Sequence, residues 1–208
     1  MNDKRVKLVL ASASPRRLAL LDQVALTPDL LNPVDIDETP RKRETPRALA
    51  LRLAEEKARA AVNAPMVKAL DAPTFILAAD TVVAVGRLAI GKPQSVDEAA
   101  AALDRLSGRS HHVYTAICLI TPAGGARKRM VDTKVRFKRL TREDIDSYLL
   151  SDEWRGKAGG YAIQGFAGAF VVKLNGSYSN VVGLPLYEVM TLLTGEGFPV
   201  HFNWLSPG

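Results

Sequence analysis

The sequence predicts an α/β protein, a mixed twisted sheet flanked by helices around a central cleft, built as one compact unit or as two small lobes, and three observations lead there. Strand-like and helix-like segments are interspersed without strict alternation, which disfavours a barrel and favours parallel and antiparallel pairing in one sheet. The stretch Arg155–Gly168 holds five of the 15 glycines, too many for a regular element but suited to backbone that approaches a ligand closely. The length of 208 residues, 47% hydrophobic and 24% charged, suits a folded chain with a sizeable core, and residues 1–208 read as one domain. Disorder and low-complexity architectures are excluded.

The elements follow in order. Val6–Ala11 is a short apolar run, and Ser14-Pro15 then marks a helix start, with Ser14 as N-cap and Pro15 at the first helical position. Leu31 to Thr45 reads as a strand and an exposed loop in which Asp35, Asp37 and Glu38 meet Arg41, Lys42 and Arg43. From Pro46 the pattern is helical: Leu49, Leu53, Lys57 and Ala61 form one row at spacing four. Thr74–Ala79 is a buried strand expected to stop at Asp80-Thr81, followed by a hairpin of Val82–Val85 and Leu88–Ile90 around Gly86-Arg87. Ser95 to Leu106 is an Ala-rich helix. His112–Ile120 and Arg129–Phe137 are longer strands, and Thr141 caps a helix that runs to Leu150. Beyond the glycine-dense segment, Ala169–Leu174 with Asn175-Gly176 points to a hairpin, Leu186–Leu193 to a helix and Pro199–Trp204 to a last short strand.

Lys plus Arg total 28 against 22 Asp plus Glu, a formal net charge of +6, and the isoelectric point near 9.5 favours acidic partners. A nucleic-acid surface is not expected, because only 6% of residues are aromatic and they do not interleave with the basic ones. The single cysteine, Cys118, sits in an apolar strand and fits a reducing compartment; with no signal-like start or long apolar span, the expected location is the cytoplasm, away from membranes.

Several residues are of types that carry chemistry. The SASPRR segment puts Ser14, Arg16 and Arg17 at a helix start, where backbone N–H groups and the dipole attract phosphate oxygens. An ordinary capped helix with two solvated arginines is the commoner outcome of that pattern. Asp80, expected at a strand end, suits activation of water or binding of a cation, or equally the capping of a turn. Glu38 offers a second carboxylate in a charged loop. Lys57 lies in an apolar row and must either meet an anion or snorkel outward; local sequence favours snorkelling. Gly86 to Pro93 imitates a P-loop, but Pro93 replaces the required hydroxyl residue and disfavours helical geometry at Lys92, which is left as a point charge for phosphate. Lys157 and Gln164 bracket the glycine-dense segment, and a Gln amide can read a donor and an acceptor on a base edge. His111 and His112 point apart in a strand and His201 is remote, so neither a zinc cluster nor a Ser-His-Asp triad is supported.

Eight segments in order, LASASPRRLALL, DIDETPR, LRLAEEKA, LAADTVV, IGKP, LSGRSHHVYTA, WRGKAGGYAIQG and NGSYSNVVGLPL, resemble the Maf family of nucleoside triphosphate pyrophosphatases. The resemblance implies the related two-lobed fold and hydrolysis of a nucleoside triphosphate to monophosphate and pyrophosphate with a divalent metal, Mg²⁺ or Mn²⁺. It implies that Asp80 is the general base and that Glu38 and Asp80 hold the metal. Ser14, Arg16, Arg17, Lys57 and Lys92 would face the phosphates, and Lys157 would line the cleft. Arg16, Thr81 and Gln164 stand where the branches of the family differ and are similar to the branch acting on dTTP and UTP; the 7-methyl-GTP branch has Trp, Gln and Glu there. Ala162 and the Gly159-Gly160 pair depart from the commonest form of the loop. The family is also associated with arrest of septum formation, so a nucleotide-binding regulator of division is the alternative function, and a homodimer is the assembly the family suggests.

Overall fold

The computed structural model describes residues 5–200. A seven-stranded sheet forms the spine: β1 (Lys7–Leu10), β2 (Leu30–Leu31), β3 (Thr74–Val85), β4 (Leu88–Ile90), β5 (Ser110–Ile120), β6 (Ala126–Phe137) and β7 (Val171–Asn175). Their order is β2-β1-β3-β5-β6-β7, with β4 paired to β3. β1 runs parallel to β2 and β3, and all other pairs are antiparallel, so the sheet is mixed as expected.

The helices are α1 (Pro15–Asp22), α2 (Pro46–Val62), α3 (Pro65–Lys68), α4 (Val96–Leu106), α5 (Arg142–Leu150), α6 (Tyr178–Val182) and α7 (Leu186–Gly195). Three of the helices, α2, α4 and α5, start where the sequence supplies a side-chain cap. Thr45 accepts from the Ala48 N–H before α2, Ser95 accepts from the Glu98 N–H before α4, and Thr141 with Asp144 forms a reciprocal capping box on α5.

One half of the sheet is covered on both faces. On one face α1 and α7 pack Leu20, Leu21, Val189 and Leu193 against Leu8, Leu10, Leu77 and Leu119. On the other, the α2 row Leu49, Leu53 and Ala61 packs on Val9, Ile76, Ala78 and Cys118. Each of the two leucines contributes roughly 2 kcal/mol of burial. The second lobe forms at the far ends of β3, β5 and β6, where Leu103 and Leu106 of α4 and Tyr148 of α5 meet Val113, Val135 and Phe137.

Several local expectations are corrected. β3 does not stop at Asp80: it continues through Asp80 and Thr81 to Val85, because β5 keeps pairing across Asp80↔Ala116 and Thr81↔Thr115 after β1 has ended. Asn175-Gly176 does not turn a hairpin. β7 pairs with β6, and the turn leads into α6, with Ser177 accepting from the Asn180 N–H as its cap. Gly176 is required there, with φ of 131° and Thr133 Oγ1 at 2.6 Å from where a Cβ would stand. Residues 199–200 are not strand, and the rest of the expected terminal strand, with His201, lies outside the described residues. Among the described residues no helix is long and apolar enough to cross a membrane.

Candidate active site

The parallel pairing of β1 with β3 ends at Leu10↔Leu77, and the chain then turns away through Ala11 and Ser12 into α1. β3 carries on, so a crevice opens at the carboxyl end of β1, the position where open α/β sheets take ligands. The second lobe closes the other side with Arg155–Gln164. The resulting cavity of about 460 Å³ is lined by every one of the candidate residues: Ser14, Arg16 and Arg17 from α1 and its cap, Glu38 from the loop after β2, Lys57 from α2, Asp80 and Thr81 from β3, Lys92 after β4, and Lys157 and Gln164 from the glycine-dense segment.

Alternation along β3 sends Asp80 and Thr81 to opposite faces. Asp80 shares the α2 side with Ile76, Ala78 and Val82. There the Lys57 ammonium donates to Asp80 Oδ1 at 2.5 Å and to Glu38 Oε1 at 2.6 Å, while Lys92 donates to Glu38 Oε2 at 2.7 Å. Lys57 is only 9% exposed. The snorkelling expected from local sequence is therefore wrong: the amine stays in the buried row because two carboxylates from distant segments meet it. Burial works against Glu38 ionising, but hydrogen bonds from Lys57 and Lys92 hold its carboxyl down to about 2.

Thr81 faces the other way, toward Arg17. Arg17 donates through Nε to the Gly183 carbonyl at 2.8 Å, through one terminal nitrogen to Ser12 Oγ at 3.1 Å and through the other to Thr81 Oγ1 at 3.4 Å. Three of the guanidinium's five N–H donors are thereby engaged and two remain. Burial lowers the pKa of both Arg16 and Arg17, and that of Lys157 is lowered by burial and then by the neighbouring Arg16 charge. Ser14 occupies the N-cap position of α1 yet makes no side-chain capping bond.

Six basic side chains, Arg16, Arg17, Lys57, Lys92, Arg155 and Lys157, face two carboxylates in this cavity. The excess of positive charge suits a polyanion. Among the described residues no group of three or more His, Cys, Asp or Glu side chains is arranged to hold a metal. The Glu38 and Asp80 pair fits a different kind of ion, one such as Mg²⁺ that accepts one or two carboxylates and completes its shell with water and substrate oxygens.

Sequence reasoning missed three contributors. Ser12 is buried and accepts from both Arg17 and the Ser14 N–H. Arg155 lines the cavity with its guanidinium 4.4 Å from the centre of the Trp154 ring. Gly183 supplies its carbonyl to Arg17. The SASP and NVVG segments were visible as motifs, but a backbone carbonyl as an acceptor has no residue-type signature. His111 is buried against Tyr161, with Nε2 2.8 Å from the phenol oxygen.

The family model described as Maf-like protein matches residues 7–196. A dTTP/UTP pyrophosphatase from Rhodopseudomonas palustris (strain HaA2) is 61% identical over 202 residues, 97% of this chain and 98% of that protein. A protein of the same name from Nitrobacter winogradskyi (strain ATCC 25391 / DSM 10237 / CIP 104748 / NCIMB 11846 / Nb-255) is 62% identical over 204 residues, covering 98% and 99%. Among solved structures, a HAM1 protein from Coxiella burnetii aligns with a TM-score of 0.46 and 20% identity, covering 66% of this chain and 75% of that one, a likeness too loose to argue from.

Proposed function

Because the chain belongs to the Maf-like protein family, we propose that it is a nucleoside triphosphate pyrophosphatase that hydrolyses dTTP and UTP to the monophosphate and pyrophosphate and so cleans the nucleotide pool. The observation that carries this reading is the convergence of six basic side chains on one cavity with Asp80 inside it. A triphosphate brings about four negative charges, comparable to the cationic excess of the pocket. The relatives' names supply the pyrimidine preference, and Arg16, Thr81 and Gln164 are the residues we assign to it.

In this mechanism Ser14, Arg16, Arg17 and Lys157 grip the phosphate chain from the α1 and glycine-rich sides. Lys57 and Lys92 exchange part of their carboxylate contacts for phosphate oxygens as the substrate enters, which releases oxygens of Glu38 and Asp80. Those two carboxylates are the ligands for a divalent cation, Mg²⁺ or Mn²⁺, which when bound supplies charge to polarise the phosphoryl oxygens. Asp80 accepts a proton from the water whose oxygen attacks phosphorus at the α–β anhydride. As the new P–O bond forms the anhydride bond breaks, and the monophosphate and pyrophosphate separate.

The test is a panel of canonical and modified nucleoside triphosphates with Mg²⁺ or Mn²⁺, scoring both products. Equimolar pyrophosphate and monophosphate, fastest from dTTP and UTP, is the expected result. Tight binding without turnover of any nucleotide contradicts it and leaves a regulator in its place.

A further inference from the structure

A row of two hydroxyls, half-buried Thr81 and fully buried Thr115, runs from the pocket into the protein on the Thr81 face of the sheet. Thr81 and Thr115, partners across β3 and β5, have their Oγ1 atoms 3.0 Å apart. Thr115 also donates to the backbone carbonyl of Asn180 at 2.8 Å. A carbonyl only accepts and a threonine hydroxyl has one proton, so that proton goes to Asn180. Thr81 must then be the donor to Thr115, and its oxygen is left to accept from Arg17, whose guanidinium only donates. Every hydroxyl in the row donates once and accepts once, in a single direction from Arg17 to Asn180.

The far end of the row is anchored. Asn180 is fully buried, and its side-chain amide donates to the Val113 carbonyl and to Thr133 Oγ1, both at 2.9 Å. This fixes α6, whose C-cap is Gly183, the residue whose carbonyl accepts from Arg17 Nε. Arg17 is thus held at two points by groups that depend on one buried centre: at Thr81 through Thr115, and at Gly183 through α6. We infer that Thr115, which is fully buried and does not line the cavity, is a positioning residue for Arg17, orienting its two remaining donors toward the phosphate chain through the Thr81 hydroxyl and the Asn180 backbone. The inference rests on the functional reading above, with Arg17 as a phosphate ligand.

Thr115→Val keeps the shape and removes the proton and the lone pairs. Loss of one positioning hydrogen bond predicts about a fivefold rise in KM for dTTP and in the Kd for inorganic pyrophosphate measured by calorimetry, with kcat changed less than twofold. Thr115→Ser, which retains the hydroxyl, restores both values. In an Arg17→Lys background the same Thr115→Val step changes Kd by less than twofold, since coupled residues are non-additive. If Thr115→Val does not fold, Thr81→Val breaks the row from its exposed end and predicts the same fivefold rise in the Kd for inorganic pyrophosphate, a ligand with no base for Thr81 to read. Unchanged KM and Kd in either valine variant, or an equal loss in both Arg17 backgrounds, overturns the inference. Wild-type protein that neither binds pyrophosphate nor turns over dTTP overturns the functional reading instead, so the two failures are distinguishable.

Discussion

Asp80 and Thr81 are neighbours in one strand, yet they open onto two different kinds of polar network. On the α2 side the partners are formal charges: Asp80, Lys57, Glu38 and Lys92 alternate in sign over contacts of 2.5 to 2.7 Å. On the α6 side the row beyond Arg17 is neutral, made of threonine hydroxyls and a backbone carbonyl. An incoming polyanion with its cation can exchange partners with the first network, because ammonium and carboxylate groups each accept a substitute of the same sign. The second network has no charge to trade and can only hold a direction. In the proposed reaction the strand would therefore separate the groups that respond to the ligand from those that aim at it.

The sharpest way to break that contrast is Lys57→Met, which leaves Asp80 buried without its ammonium. Removal of one partner from a buried ion pair predicts a loss of about 3 kcal/mol in chemical denaturation, with nucleotide binding lost as well. The neutral row, broken at Thr115, should cost far less in stability and act chiefly on KM. Equal stability losses from the two variants would dissolve the distinction.

A finer test uses pH. The folded Glu38 carboxyl sits at about 2 against an ordinary value of 4.5. The unfolded chain therefore takes up the proton first as acid is added, so the Glu38 contacts stabilise fully above pH 4.5 and fade as pH falls toward 2. Glu38→Gln is expected to lower the thermal midpoint at pH 7 by a few degrees and to converge with the wild type near pH 2. The effect is modest because the side chain is 40% exposed. A difference that grows on acidification contradicts the ion-pair account of this residue.

Much of the site was legible in the sequence, and the misreadings have physical causes. Ser14, Arg16, Arg17 and Lys92 stand at turns and element ends, where residue type marks them as candidates even though the local pattern alone favours a capped helix with solvated arginines, and they line one cavity with Asp80. Lys57 was misread because what keeps it buried comes from Glu38 and Asp80, 19 and 23 residues away. Asp80 was read as a strand end because a carboxylate normally closes an apolar run. The strand continues only through its pairing with β5, a non-local fact. The five-residue α6 is too short for a periodic signal, and its register depends on Asn180 reaching Val113 and Thr133. The helical rows were easier: Leu49, Leu53 and Ala61 are buried as their spacing of four predicts.

The central claim, that Asp80 acts on a nucleotide held by other groups, is tested most directly by Asp80→Asn, with dTTP affinity and turnover measured on the same preparation. Loss of a general base predicts a fall in kcat of about 10²- to 10⁴-fold, while Kd stays within a few-fold of the wild type. Undiminished turnover, or turnover and binding lost together, would contradict it.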